Sequence, residues 1–77
     1  MAKGLRYLTP MKFRIETKPP VEGFYWTYRE VVEVTNTEDV EAARQSVYNW
    51  GKAQYPKLSV YVGTVPYFFH SDKIIKA

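Results

Sequence analysis

Hydrophobic and polar residues alternate along two stretches of the chain, residues 11–18 and 58–65. Strict alternation is the pattern of a strand that buries one face and leaves the other in water. The apolar, inward-facing residues are Met11, Phe13 and Ile15 in the first stretch and Leu58, Val60 and Val62 in the second. Each stretch therefore predicts an amphipathic β-strand.

Residues 24–34 predict a further strand that carries aromatic side chains on both faces. Side chains alternate across a strand, so the phase sorts them into two sets. The set predicted to face the core is Phe24, Trp26, Tyr28, Val32 and Val34. The set predicted to face solvent is Tyr25, Thr27, Arg29 and Glu33.

Helical spacing replaces alternation after residue 35. Asn36 or Thr37 can cap the helix start, and the acids behind them favour the positive end of the helix dipole. Pro56 disfavours helical geometry at Tyr55, so the helix should end there. The predicted inner stripe is Val40, Ala43, Val47, Trp50 and Gln54, and the predicted outer residues are Glu41, Arg44, Gln45 and Lys52. Trp26 and Trp50 are thus expected to pack together in the core.

The element order predicts an α+β domain, β-β-α-β, spanning residues 1–77. We expect a three- to four-stranded, mainly antiparallel sheet with one helix packed on one face. The opposite face, called the far face below, stays open. Residues 1–10 are expected to be a strand fragment or a loose N-terminal arm. Residues 67–69 and 74–75 should form a last short strand or an apolar tail.

Composition excludes several classes of site. The chain has no cysteine and one histidine, which leaves no disulfide, no thiolate zinc site and no imidazole metal site. His70 has no nucleophile or carboxylate arrangement around it in the sequence, so we expect no enzymatic activity, no metal and no cofactor. No apolar run approaches the roughly 20 residues that span a bilayer. We therefore expect a cytoplasmic protein, of the cell or of an infected host, with no membrane partner.

Charge is distributed in three blocks. Residues 1–29 carry +4, residues 30–41 carry −5 and residues 42–77 carry +4, which sum to the net charge of +3. Such a small total attracts phosphate only weakly, so local patches must carry any nucleic-acid binding. The outward strand residues supply one candidate patch, since cations contact phosphates and aromatic rings stack on bases. Its predicted members are Lys12, Arg14, Lys18, Tyr25, Arg29 and Tyr61. We therefore expect a non-enzymatic adaptor that contacts nucleic acid, or a nucleic-acid-handling protein complex, through this patch.

A protein-binding surface is the alternative function, and a solvated sheet face with ordinary cross-strand pairs is the simplest explanation of the same residues. Pro66 breaks the preceding strand and leaves three aromatic rings that are hard to bury in so small a core. The acidic block could steer a basic partner, or simply favour the helix start. The predicted partner-binding residues are Tyr67, Phe68, Phe69, Glu30, Glu33, Glu38 and Glu41.

The stretch from Met11 to Tyr67 resembles the small β-β-α-β host-takeover inhibitors of bacteriophages, of which the T7 inhibitor of host RNA polymerase is one. The shared features are a Phe13-Arg14-Ile15-Glu16 strand, a Val31-Val32-Glu33-Val34 strand, Thr37-Glu38-Asp39 before an Ala-rich helix with Trp50, and a Val60-Tyr61-Val62 strand. The resemblance lies in order and spacing. It implies a protein that binds and disables a host machine such as RNA polymerase.

Overall fold

The computed structural model describes residues 10–77, which form a four-stranded sheet with one helix packed on one face. The elements are β1 (Met11–Lys18), β2 (Thr27–Thr35), α1 (Val40–Gln54), β3 (Ser59–Val65) and β4 (Lys73–Lys76). The strand order is β3-β1-β2-β4, with β1 antiparallel to both neighbours and β4 parallel to β2. The predicted α+β fold is confirmed, and the sheet is mixed. The predicted N-terminal arm, apart from Pro10, lies outside the described residues.

The core lies between α1 and the inner sides of β1, β2 and β3. Phe13, Ile15 and Val62 are buried, as the strand alternation predicted, and Ala43 and Val47 of α1 pack onto them. The helix approaches the sheet closely at Gly51, where an added Cβ would lie 3.2 Å from a methyl carbon of Val60. That closeness explains a buried glycine inside the helix, which would otherwise be unfavourable.

The helix begins later than predicted and ends where predicted. Asp39 is the N-cap, because its carboxylate accepts the backbone N–H of Glu41 at 3.0 Å and of Ala42 at 3.3 Å. Thr37 instead accepts the N–H of Asp39, and Asn36 occupies a left-handed turn with φ of 71°. The predicted inner-stripe positions at the two ends, Val40 and Gln54, are exposed.

A β-bulge in β2 overturns the predicted phase of that strand. Ile15 pairs with Glu30 but Glu16 pairs with Tyr28, so Arg29 is an extra residue without a partner on β1. An extra residue reverses the faces of everything before it. Val32 and Val34 therefore point into the core as predicted. The prediction that Phe24, Trp26 and Tyr28 are core residues is wrong, because all three are exposed.

The two tryptophans lie on opposite sides of the sheet. The Trp26 ring is 6.0 Å from the ring of Tyr61 on the far face. Trp50 is half-buried against the core on the helix side, with Nζ of Lys73 6.0 Å from its ring centroid. The predicted Trp26–Trp50 packing is thus wrong, and the bulge and the late start of β2 are the reasons.

Residues 66–72, here called the crossover, pass over the far face to connect β3 with β4 at the opposite edges of the sheet. Nζ of Lys12 donates to the carbonyl of Phe69, and the Ser71 hydroxyl donates to the Glu33 carboxylate at 2.9 Å. The crossover ends at Asp72, whose backbone N–H and carboxylate both bond to the backbone of Val31. Val31 is only 2% exposed although it points away from the helix.

Cationic side chains donate hydrogen bonds to backbone carbonyl oxygens along the β3 side of the sheet. Arg44 donates to Val62 at 3.1 Å, Arg14 donates to Thr64 at 3.3 Å, and Lys52 donates to Leu58, just before the strand, at 2.8 Å. Arg44 was predicted to point outward and instead folds back onto the sheet. These bonds remove acceptors that another strand would need in order to pair with β3. In residues 10–77, no helix is both long and apolar enough to span a bilayer.

Candidate functional site

The crossover divides the far face into two halves. The upper half, at the end of the sheet marked by Lys12 and Glu33, lies beneath the crossover. In the lower half, at the end marked by Lys18 and Thr27, the rings of Trp26, Tyr28 and Tyr61 remain partly exposed. The lower half carries the candidate site. We call it the cation–aromatic patch and define it by Arg14, Lys18, Trp26 and Tyr61.

Arg14 and Tyr61 form the first half of the patch. The Arg14 guanidinium lies 5.6 Å from the Tyr61 ring centroid and donates through Nε to Glu16 at 3.1 Å. Gly63, the cross-strand partner of Arg14, makes room for this arrangement. An added Cβ at Gly63 would come within 2.9 Å of both the guanidinium carbon and the Tyr61 ring. The missing side chain at position 63 therefore leaves room for the guanidinium beside the ring.

Trp26 and Lys18 form the second half. Nζ of Lys18 lies 5.3 Å from the Trp26 ring centroid, at a distance where a cation is attracted to the face of an indole. The tilted contact between Trp26 and Tyr61 joins the two halves into one row, in which the two rings are adjacent and a cation flanks each end. Trp26 is 43% exposed, so the row is open to a ligand.

Two further side chains, Glu16 and Tyr28, lie next to the patch residues. Glu16 lies in its middle and pairs across the sheet with Tyr28 on one side and Tyr61 on the other. The Tyr28 hydroxyl lies near the carboxylate of Asp72 at the end of the crossover. Partial desolvation of this phenol, together with the nearby charges of Asp72 and Glu30, raises the pKa of Tyr28 above its usual value. Tyr28 therefore remains a neutral, stackable ring at physiological pH.

The structure brings together only part of the predicted nucleic-acid set. Arg14, Lys18 and Tyr61 share the far face as predicted, and Arg14 lies level with Val31, at the boundary between the two halves. Lys12 lies on the same face but in the upper half, where its ammonium is bonded to Phe69. Tyr25 is 91% exposed in the loop before β2, not in the strand.

Arg29 leaves the predicted set, because the bulge turns it to the helix side of the sheet. Its Nε donates to the buried hydroxyl of Thr17 at 2.8 Å, and its guanidinium lies 5.2 Å from the Tyr55 ring centroid. The Tyr55 hydroxyl in turn lies 3.3 Å from the Glu30 carboxylate. Burial first, and then the charge and hydrogen bond of Glu30, raise the pKa of Tyr55. Arg29 is therefore part of a structural cluster near the end of α1.

The predicted aromatic anchors lie in the crossover and are exposed. Phe68 is 73% exposed, and its ring contacts those of Tyr67 at 5.8 Å and Phe69 at 5.6 Å. The three rings thus pack mainly on one another above the sheet. Ile74 of β4, which points to the same face, is also exposed.

The predicted acidic residues do not form one surface. Glu30 faces the helix side beside Tyr55, whereas Glu33 faces the crossover and accepts from Ser71. Glu38 lies exposed in the segment before α1, and Glu41 lies in its first turn, 4.0 Å from Arg44. The acidic block of the sequence is therefore dispersed over two faces and one helix end.

Comparisons with known proteins add no assignment: no family model matches the chain, and no similar curated protein or solved structure was found. The resemblance to phage inhibitors stays a prediction. Across residues 10–77, no three His, Cys, Asp or Glu side chains are grouped as a metal ion would need.

Sequence reasoning missed Trp26, Tyr28 and Gly63 as site residues. The strand phase placed both aromatic residues in the core, and the bulge that reverses the phase has no glycine or proline to mark it. One signal was available: Val31 and Val32 are adjacent valines, so both faces of β2 need apolar cover at that level. For Gly63, the signal was a glycine within an otherwise regular strand pattern, which often marks a close approach.

Proposed function

We propose that this domain binds single-stranded nucleic acid, without catalysing a reaction, through the cation–aromatic patch. Tyr61 and Trp26 stack on bases, and Arg14 and Lys18 contact the phosphates on either side of them. Tyr25, exposed in the neighbouring loop, offers a further ring. A single strand fits this surface better than a duplex, because only unstacked bases can lie against the rings.

The observation that carries the proposal is the position of Trp26. A domain of 77 residues has few large apolar side chains with which to build a core. Yet this indole lies half-exposed on the face opposite the helix, between Lys18 and Tyr61. Adjacent rings flanked by cations suit a single strand, whose bases can stack on the rings while the flanking phosphates contact the cations.

Intrinsic fluorescence provides the test. In a Trp50→Phe background Trp26 is the single tryptophan, and stacking on it should quench its emission when a short oligonucleotide is added. Affinity should fall as salt rises, with a slope of about −0.7 per phosphate contact, or about −1.4 for Arg14 and Lys18 together. Absence of quenching and of any binding at low salt contradicts the proposal.

Two variants locate the site. Gly63→Ala keeps every charge and ring but forces Arg14 and Tyr61 to move, so it should weaken oligonucleotide binding while the fold persists. The atoms it displaces are the far ends of flexible side chains, and alanine suits a strand better than glycine. Lys76→Gln is the charge control: it removes one exposed cation from β4, at the opposite edge of the sheet, and should change affinity little.

Protein binding through the crossover is the second candidate, favoured by the exposed cluster of Tyr67, Phe68 and Phe69. The phage-inhibitor resemblance predicts a host protein as this partner. Tyr67→Ser combined with Phe69→Ser should abolish partner capture from nuclease-treated lysate while far-UV circular dichroism stays native. Phe68→Ala separates the candidates, since it should weaken protein capture and leave oligonucleotide binding unchanged.

Charge reversal tests the acidic residues of this second candidate. Glu38→Lys combined with Glu41→Lys should slow association with a basic partner more than it speeds dissociation, because exposed charges act mainly on the encounter rate. Glu30 and Glu33 are engaged on opposite faces and should contribute less to such steering.

A further inference from the structure

Glu16 is an anomaly in a surface suited to phosphates. Its carboxylate lies in the middle of the cation–aromatic patch, between the cross-strand partners Tyr28 and Tyr61. A negative charge there repels the nucleic-acid backbone and lowers the net charge of the patch. A base that stacks on Tyr61 brings its polar edge towards this group, because neighbouring side chains on one sheet face lie within about 5 Å.

The hydrogen bonds of Glu16 leave part of the carboxylate available. Arg14 Nε donates to Oε2 at 3.1 Å, while Oε1 has no donor among residues 10–77. About a quarter of the Glu16 side chain, 24%, remains accessible. Arg14 has five N–H donors, of which Nε serves Glu16 and Nη1 serves Thr64. The pair thus presents an acceptor, Oε1, beside unused guanidinium donors.

This acceptor–donor pair distinguishes the bases by chemistry. Cytosine carries an amino donor at N4 next to the acceptor N3, and adenine carries the same order at N6 and N1. Uracil and thymine carry the reverse order, a carbonyl oxygen at position 4 next to the N3–H donor. A carboxylate accepts from the cytosine amino group, whereas it repels a carbonyl oxygen in the same place.

Resting on the proposed function, we infer that Glu16 and Arg14 make the patch selective for bases with an amino group next to a ring-nitrogen acceptor, cytosine and adenine, over uracil and thymine. Glu16 Oε1 accepts from the exocyclic amino group, and Arg14 donates to the adjacent ring nitrogen. The inference also explains why an acid lies in the patch: it reads the base while Arg14 offsets its charge. Each base read in this way contributes about 5- to 100-fold of discrimination.

The experiment is a competition assay on the full chain. A fluorescent oligo-dC of eight nucleotides is displaced by unlabelled oligo-dC, oligo-dA or oligo-dU at pH 8 and low salt, and the fluorescence anisotropy is measured. For the unaltered protein, oligo-dC and oligo-dA should compete at least 5-fold better than oligo-dU. In Glu16→Gln, which keeps the shape but can turn its amide N–H₂ towards a carbonyl, the ratio of oligo-dC to oligo-dU affinity should fall to about 1.

Controls make each outcome decisive. Glu33→Gln removes an acid from the same face but beneath the crossover, so it should preserve the preference. Arg14→Lys keeps the charge but removes the planar donor pair, so it should reduce the preference without abolishing binding. Circular dichroism confirms the fold of each variant.

Three results would overturn parts of the account in different ways. If no oligonucleotide binds, the proposed function fails and the selectivity fails with it. If oligo-dC and oligo-dU bind equally to the unaltered protein, the selectivity is refuted and the proposed function stands. If a preference exists but survives in Glu16→Gln, another residue reads the base and the assignment to Glu16 is wrong.

Discussion

The two halves of the far face differ in how far their apolar side chains are buried. In the upper half Val31 is almost fully buried, because the crossover passes over it and Asp72 bonds to its backbone. In the lower half Trp26 and Tyr61 remain partly exposed and are flanked by Lys18 and Arg14. The chain thus covers one half of the face with its own backbone and leaves rings on the other. Apolar side chains in the upper half are buried and stabilise the fold. Those in the lower half remain partly exposed to solvent.

The helix side of the sheet sets the scale for a core residue. Ile15 of β1 is fully buried between the sheet and α1. Ile15→Ala should lower the free energy of unfolding by about 2–5 kcal/mol, from lost burial and the cavity that remains. A domain this small has roughly 3–5 kcal/mol to lose, so the variant should be largely unfolded at room temperature. Urea titration followed by circular dichroism measures the effect, and a cost below about 1 kcal/mol would contradict the helix packing.

The upper half of the far face should respond next. Asp72→Ala removes the carboxylate that accepts the Val31 N–H at 2.9 Å. We expect a loss of about 1–3 kcal/mol, because a partly buried N–H is left without its partner. Amide hydrogen exchange should show faster exchange at Val31 and through β4. Unchanged protection there would mean that the crossover is not held at this point. Lys57→Ala, which alters an exposed side chain in the turn before β3, serves as the control.

A smaller effect is expected at high pH on the helix side. The pKa of Tyr55 is raised chiefly by burial and then by Glu30, so the folded protein holds this proton more firmly than the unfolded chain. The stabilisation is fully present below the unfolded pKa of about 10 and is lost as the pH rises through the higher folded pKa. Tyr55→Phe should therefore lose less free energy of unfolding than the unaltered protein between about pH 9 and 11. Tyr28 titrates in both proteins and cancels in the difference. Parallel curves would contradict the raised pKa.

The sequence predicted the parts of the fold that depend on local pattern. The alternation of β1 and β3, the inner residues Ala43 and Val47 and the helix end at Tyr55 follow from side-chain spacing and from Pro56, and all appear in the structure. For residues 67–69 the sequence left two alternatives, an exposed patch or a hydrophobic plug, and the structure shows all three rings exposed.

The candidate site depended on features that local pattern does not encode. The bulge at Arg29 exchanges the faces of the residues before it. Arg29 therefore leaves the predicted site, and Tyr28 lies next to the cation–aromatic patch. The start of β2 at Thr27 left Trp26 outside the strand, free to lie over Tyr61. The crossover arises from strand order, since β3 and β4 lie at opposite edges, and order along a sheet is a long-range property.

The most direct test of the account is a paired measurement on Trp26→Ala. The free energy of unfolding of Trp26→Ala should differ from that of the unaltered protein by no more than about 0.5–1 kcal/mol, because a half-exposed ring outside the core contributes little. The same variant should bind an oligonucleotide more weakly by about 1–3 kcal/mol through lost stacking. If instead Trp26→Ala unfolds the domain, or keeps full stability and full affinity, then the lower half of the far face is not a binding surface built around this residue.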